Sequence, residues 1–288
     1  MVSPDRIKHF VIVRFFPYQR RDFPHDIFDV NFLSEQLVLA KNNALKSLEI
    51  QTNKNFELVF VVNHKLLADP KYGFIFSTLR ESTTLQLEFV KSNEGVRSGE
   101  RNLKSDELSQ LIKKSFDEYD FVIQSRTDFD DFVYKDVIAD TQSKVEECDS
   151  ILCYGYGNGY MYYDAYCELY HFYTSYMSAG GTGHISAMQS FIMKSSFAKK
   201  LPFFGIYNFP HTKIKLAMKD RLEKNGIEFS ENMFQQNTTD LAFIYFRHKF
   251  SITTRHSRYR KKEQPIEAPN KKYFEEEFGF NYKLKSIK

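Results

Sequence analysis

An apolar run passes directly into an acidic one in the sequence FVIQSRTDFDD, residues 121–131. Phe121, Val122 and Ile123 are typical of a short buried strand. In an extended chain alternate side chains point the same way, so Asp128 and Asp130 can lie on one side. The stretch therefore predicts a buried strand that leads into a cluster of carboxylates.

Strand-like and helix-like segments alternate around this stretch. Strands are predicted at 9–15, 56–62, 85–90, 121–123 and 151–154, and helices at 31–49, 70–80, 105–119 and 134–146. Such alternation indicates βαβ units and an α/β fold with a mostly parallel, twisted sheet flanked by helices. Ligands bind such sheets outside the carboxyl ends of the strands, and the acidic cluster is predicted at one of these ends.

The pattern changes after residue 154. Residues 155–176 are dense in Gly and Tyr and have little periodicity, while helices are predicted at 184–200 and 212–225. Residues 251–288 are basic and aromatic, with ten Lys/Arg against five Asp/Glu. We expect them to form a helical or irregular C-terminal extension.

Composition limits the classes of protein. The formal net charge of +3 does not favour a dedicated nucleic-acid binder. The three cysteines lack a metal-type CxxC spacing, which favours a reduced, cytoplasmic protein. No window approaches the roughly 20 apolar residues of a membrane span, so any membrane association is expected to be peripheral.

The acidic cluster has two interpretations. Adjacent carboxylates repel each other, and Mn²⁺ or Mg²⁺ would relieve the repulsion, since both are hard ions that bind carboxylates and substrate phosphates. Alternatively, Asp130 or Asp131 could simply cap the helix that follows. The position after an apolar strand favours the metal interpretation, in which Asp128 and Asp130 hold the ion and Asp131 orients the donor or the loop.

Several segments resemble a known family. Residues 12–16, 45–52, 56–60 and above all 122–131 are similar to the rhamnosyltransferase family, a relative of the family-2 glycosyltransferases; the last segment resembles its Ser-Arg-x-Asp-x-Asp-Asp stretch. Asn93-Glu94-Gly95 followed by Arg101-Asn102 resembles the N-x-G … R-N element beside the nucleotide, with a spacer one residue longer. The resemblance implies a GT-A fold, a nucleotide-sugar donor and a divalent metal.

The resemblance also suggests roles for single residues. Family-2 enzymes often have Asp at the end of the second strand, where it contacts the base; this chain has Asn63. GT-A enzymes often supply a late His to the metal or the diphosphate, and His211 is the candidate for that role. The chain has no Trp, although the family is expected to contain them.

Other residues are candidates on chemical grounds. Arg14, Arg101 and Arg126 could contact the diphosphate or ribose, because Arg binds phosphate oxygens through a planar fork; a surface ion pair is the alternative for each. An inverting enzyme needs a general base for the acceptor hydroxyl, and Asp164 and Glu168 are the downstream carboxylates. Four tyrosines could line the acceptor site or form a packed aromatic core: Tyr156, Tyr160, Tyr162 and Tyr163.

These observations predict a metal-dependent glycosyltransferase that moves a sugar, from dTDP-rhamnose or a UDP-sugar, to a saccharide hydroxyl in polysaccharide or glycan synthesis. Residues 1–155 are predicted to bind the donor, 156–250 to form the acceptor half of the same domain, and 251–288 to form the basic extension. That extension could touch an anionic membrane that carries a lipid-linked saccharide acceptor, or remain solvated. The alternatives are a nucleotidyltransferase or phosphoryl-transfer enzyme, and a basic aromatic nucleic-acid-binding module.

Overall fold

The protein is described from a computed structural model, which covers residues 2–16, 25–93, 105–173, 188–202, 205–209, 214–249, 265 and 271–283. Over these ranges the strands are β1 (Ile7–Phe15), β2 (Glu57–Val62), β3 (Leu87–Lys91), β4 (Phe121–Asp128), β5 (Phe132–Val133), β6 (Ile151–Tyr156), β7 (Asn158–Tyr163), β8 (Glu168–Tyr173), β9 (Gln189–Lys194), β10 (Phe234–Asn237) and β11 (Phe243–Arg247). The α-helices are α1 (Val30–Ala40), α2 (Lys46–Glu49), α3 (His64–Ala68), α4 (Gly73–Glu81), α5 (Asp106–Glu118), α6 (Val137–Ser143), α7 (Ser195–Ala198), α8 (Ile214–Glu223) and α9 (Lys271–Phe278). A π-helical turn, Lys41–Leu45, joins α1 to α2.

The main sheet has seven strands in the order β10-β6-β9-β4-β1-β2-β3. β1 pairs in parallel with β2 and β4, and only β9 runs antiparallel to its neighbours among the described strands. Both faces are covered: Val11 and Val13 pack in one apolar cluster, and Phe10 and Ile12 pack in the other. The prediction of a mostly parallel α/β sheet flanked by helices is thus confirmed.

A second sheet has the order β5-β11-β7-β8. β7 and β8 form an antiparallel hairpin, while β11 runs parallel to β7 and antiparallel to β5. One face of this sheet packs against α9 and the residues that follow it, through an aromatic cluster that includes Phe132, Phe246, Phe274 and Phe278. The sheet explains the Gly- and Tyr-rich sequence, since most of its tyrosines are packed between layers.

Several element predictions agree with the structure. Ser105 caps α5 as expected, and its hydroxyl accepts a hydrogen bond from the Leu108 amide at 3.2 Å. The helix predicted at 184–200 is wrong over 189–194, which is β9. That strand lies between β4 and β6 and is buried over residues 189–193. Its apolar run is only Phe191-Ile192-Met193, and so short a run does not distinguish strand from helix by its periodicity. Within the described ranges no helix is long and apolar enough to cross a membrane.

Candidate active site

Three parallel strands bring polar residues to one edge of the main sheet. β1, β2 and β4 lie side by side, and the register places Arg14 opposite Asp128. Asn63 directly follows β2, so it lies at the same edge two strands away from Asp128. The carboxyl ends of parallel strands form the ligand-binding edge of such sheets, and Arg14, Asn63 and Asp128 lie along it.

The acidic cluster consists of Asp128, Asp130 and Asp131. One carboxylate oxygen of each lies within 4.8 Å of the others. Asp131 is buried and accepts a hydrogen bond from the Phe246 amide at 3.1 Å. Burial, reinforced by the negative charge of Asp130, raises the pKa of Asp131 well above its ordinary value. The surroundings of the cluster therefore disfavour a negative charge on Asp131.

Asp128 is held by Arg14. The guanidinium donates from Nε and from one terminal nitrogen to the two carboxylate oxygens, each at 2.7 Å. Such a two-point fork is among the stronger charged hydrogen-bond arrangements. The Arg14 guanidinium also lies 5.8 Å from the centre of the Tyr207 ring. Two residues predicted to contact the donor thus bind each other, although each carboxylate oxygen keeps a second lone pair for a further ligand.

Asp130 is partly exposed, with 18% of its side chain accessible against 37% for Asp128. Among the described residues its carboxylate has one hydrogen-bond partner, His248, whose Nε2 lies 3.1 Å from one oxygen. His248 follows β11 and is buried. The other Asp130 oxygen accepts no hydrogen bond within the described ranges, so it can be offered to a cation.

Sequence reasoning missed His248. The sequence motif points to His211 as the late histidine. His211 lies outside the described residues, as does the predicted donor contact Arg101. The signal for His248 exists in the sequence, because the apolar run Phe243-Ile244-Tyr245-Phe246 precedes Arg247 and His248 in the same way as an apolar strand precedes the acidic cluster.

Arg126 has a different environment from the one expected of a donor contact. Its guanidinium is buried and donates to the carbonyls of Ile206 at 3.2 Å and Phe209 at 3.0 Å, and to the side chain of Gln189. Its Nε is buried without a hydrogen-bond partner. Burial lowers the pKa of Arg126 to about 10. The side chain holds the 205–209 segment against the sheet.

Asn63 is the N-cap residue of a helix at the sheet edge. Its side-chain oxygen accepts from the Lys65 amide at 2.9 Å and so caps α3. The residue is 7% exposed. A contact between Asn63 and a nucleotide base remains a prediction, made by analogy with the Asp of related enzymes.

The predicted base candidates lie at the end of the β7–β8 hairpin. Asp164 is exposed on the turn after β7, and Glu168 begins β8, where it accepts a 2.7 Å hydrogen bond from the Tyr170 hydroxyl. β7 is separated from β5 by β11. Because β5 follows the acidic cluster, Asp164 at the end of β7 lies two strand spacings, roughly 10 Å, from it, and Glu168 on β8 lies three, roughly 14 Å.

All four predicted acceptor tyrosines are core residues instead. Tyr156, Tyr160 and Tyr162 are each no more than 3% exposed, and Tyr163 is 8% exposed. The Tyr156 hydroxyl donates to Asp140 at 2.8 Å, and the Tyr162 hydroxyl donates to the Lys283 carbonyl at 2.7 Å. The alternative of a packed aromatic core is therefore correct for all four.

The fold and the site together define a mostly parallel α/β protein with a carboxylate cluster at the carboxyl edge of its sheet. Residues 24–239 match the family described as "Putative rhamnosyl transferase". The chain belongs to this family of sugar transferases, and its fold is of the GT-A-like class that the sequence resemblance implies.

Of the following three similar solved structures, two are sugar transferases by description. TarS of S. aureus, in a structure of residues 1–349, is 12% identical with a TM-score of 0.37, over 83% of this chain and 60% of that one. A "putative nucleotide-diphospho-sugar transferase" from Desulfovibrio desulfuricans G20 is 8% identical with a TM-score of 0.41, over 85% and 82%. Mouse xyloside xylosyltransferase 1 is 12% identical with a TM-score of 0.36, over 80% and 84%. The chain spans less than two thirds of the TarS structure, and no curated protein matches it.

Proposed function

We propose that this protein transfers a sugar from a nucleotide diphosphate to a hydroxyl of a saccharide or lipid-linked saccharide, with Mn²⁺ or Mg²⁺ bound at the acidic cluster. The observation that carries the proposal is the open oxygen of Asp130 within three clustered carboxylates at the ligand-binding edge of the sheet. Membership of the rhamnosyl transferase family makes dTDP-rhamnose the first donor to test, followed by UDP-sugars.

The residues present fit a divalent cation. All three clustered donors are carboxylate oxygens, the ligand type that Mg²⁺ and Mn²⁺ prefer. Burial and the charge of Asp130 disfavour the ionised form of Asp131, a strain that a cation would relieve. Asp128 and Asp130 would hold the ion, and Asp131 or His248 could add a further ligand. When bound, such a cation would neutralise charge on the departing nucleoside diphosphate.

The chain's own residues supply the other requirements. Arg14 orients Asp128 through its two-point fork. Asn63 stands at the same edge, where the base of the donor is expected. Asp164 or Glu168 would accept the proton of the acceptor hydroxyl.

The reaction is proposed to take place at a membrane surface. The acceptor would be elongated at the cytoplasmic side of a membrane, which the basic extension could contact peripherally through its Lys and Arg residues. The support for this part is the charge of residues 251–288. Their structure is outside the described ranges, apart from residues 265 and 271–283.

Calorimetric titration with UDP, dTDP and GDP, with and without Mn²⁺, tests the donor site. We expect at least one nucleotide to bind about tenfold more tightly with Mn²⁺, a gain of ~1.4 kcal/mol. Asp130→Asn should abolish that gain and sugar transfer, because the anionic ligand is lost. EDTA should have the same effect on the wild type.

Asp117→Asn is the matched control, since Asp117 is an exposed carboxylate on α5 that, within the described ranges, pairs with one surface lysine. It should behave like the wild type. The donor-site assignment fails if no nucleotide binds under either condition, or if Asp130→Asn retains the full Mn²⁺ dependence while Asp117→Asn is unaffected.

A further inference from the structure

The C-terminal part of the described chain reaches the back of the acidic loop. α9 lies on the second sheet, where the Lys135 amide donates to the Glu277 carbonyl at 2.9 Å and the two side chains form an ion pair. The chain then continues through Phe280, whose ring lies 5.2 Å from that of Phe132. This path brings Tyr282 to the π-helical turn between α1 and α2.

Two hydrogen bonds link Tyr282 to the acidic loop. Its hydroxyl lies 2.8 Å from Oδ1 of Asn43 and donates to it. Nδ2 of Asn43 in turn donates to the backbone carbonyl of Asp130 at 2.7 Å. Asn43 is fully buried, so its amide has no water with which to exchange these partners.

The Asp130 carbonyl can only accept, so it requires the amino group of Asn43 to face it. The amide oxygen then faces Tyr282, and the donated hydroxyl hydrogen bond holds the amide in this orientation. The π-helical turn, a feature often found at functional sites, carries Asn43 at this position. A backbone bond within the loop, from the Asp131 amide to the Asp128 carbonyl, is long at 3.4 Å.

We propose that Asn43 and Tyr282 are positioning residues for Asp130, so that the C-terminal segment completes the cation site from behind. The inference rests on the proposed function, since it assigns these residues a role in the same metal-dependent site. Neither side chain touches the cation or the substrate; together they fix the backbone from which the Asp130 carboxylate projects. Hydrogen bonds that hold a metal ligand from behind orient it and so affect the affinity for the metal.

The test measures Mn²⁺ affinity of the full chain from the electron paramagnetic resonance signal of free Mn²⁺. Tyr282→Phe removes only the hydroxyl and keeps the ring in its aromatic cluster, so the fold should remain intact. We expect Mn²⁺ binding to weaken about tenfold, the lower end for loss of a hydrogen-bond partner that orients a metal ligand. Tyr273→Phe is the matched control, because Tyr273 belongs to the same aromatic cluster and has no contact with Asn43; it should bind Mn²⁺ like the wild type.

A double-mutant cycle identifies the route of the effect. Asn43→Ala should weaken Mn²⁺ binding at least as much as Tyr282→Phe, and the double variant should bind no more weakly than Asn43→Ala alone, because both act through one amide. Wild-type affinity in Tyr282→Phe, or full additivity of the two losses, would overturn the positioning role. Absence of Mn²⁺ binding by the wild type would instead overturn the proposed function and this inference with it.

Discussion

Replacement of Arg126 by Met distinguishes a structural role from a donor-binding role for this residue. The sequence places Arg126 in a family motif and suggests a phosphate contact, whereas its guanidinium donates to the carbonyls of Ile206 and Phe209. Met keeps much of the aliphatic length but removes every donor. We therefore expect a loss of stability with little direct loss of nucleotide binding.

The magnitude follows from the groups left without partners. Ile206 and Phe209 are at most 2% exposed, so water does not readily reach their carbonyls when the guanidinium is gone. Each buried acceptor that loses its partner costs about 1–3 kcal/mol. Removal of a buried cation, whose Nε already lacks a partner, offsets part of this cost. A net destabilisation of about 3 kcal/mol is expected, which corresponds to a fall in Tm of roughly 6–10 °C for a chain of this size.

Thermal unfolding gives the Tm, and calorimetric titration of the same preparation gives the nucleoside diphosphate affinity. Arg80→Met is the matched control, since Arg80 is exposed on α4 and its guanidinium packs on the Phe89 ring; its Tm should change by less than ~2 °C, as for most surface substitutions. Nucleoside diphosphate affinity of Arg126→Met should stay within about threefold, less than ~1 kcal/mol. An unchanged Tm together with a tenfold or larger loss of nucleotide affinity would refute the structural role and restore the donor contact.

Asp164→Ala or Glu168→Ala should reduce sugar transfer to the acceptor strongly while nucleotide diphosphate affinity stays within about threefold, since both residues lie on the hairpin away from the donor edge. Turnover and calorimetric titration of each variant check this. Loss of nucleotide binding, with sugar transfer reduced only in proportion, would contradict it. Burial lowers the pKa of His9 to about 3, so the folded state holds a neutral ring and the unfolded state binds the proton first as pH falls below its ordinary value. Stability linked to His9 should therefore be complete above about pH 6.5 and decline by up to ~1.4 kcal/mol per pH unit toward pH 3. Urea unfolding at several pH values should show a flatter decline in His9→Asn than in the wild type, and equal slopes would speak against a neutral buried His9.

The strands and helices of the first half could be read from the sequence because their apolar residues repeat with clear periods. β1 and β2 are runs of branched and aromatic residues, and such runs indicate buried strands wherever they occur. The acidic cluster was predicted for the same reason, since its place after an apolar run puts it at a strand end. Its pairing with Arg14 was not foreseeable, because the register of β1 against β4 is a tertiary property.

The polar half of β4 could not be predicted from local sequence. The sequence predicts a strand only over 121–123, yet the strand continues to Asp128 through Gln124, Ser125 and Arg126. These polar side chains can be buried because distant residues satisfy them, as when the Ser125 hydroxyl meets the His9 ring at 2.7 Å. No local pattern contains the information that such a partner exists.

The sequence by itself determined the fold class, the family and the position of the carboxylates, because periodicity and motif spacing are properties of neighbouring residues. Only the tertiary structure decided which groups meet at the site. It joined Asp130 to His248 and Asn43, which are 118 and 87 residues away along the chain, and it turned Arg126 inward. The physical reason is that buried polar groups must be paired, and the partners that satisfy them are chosen by packing across the whole chain.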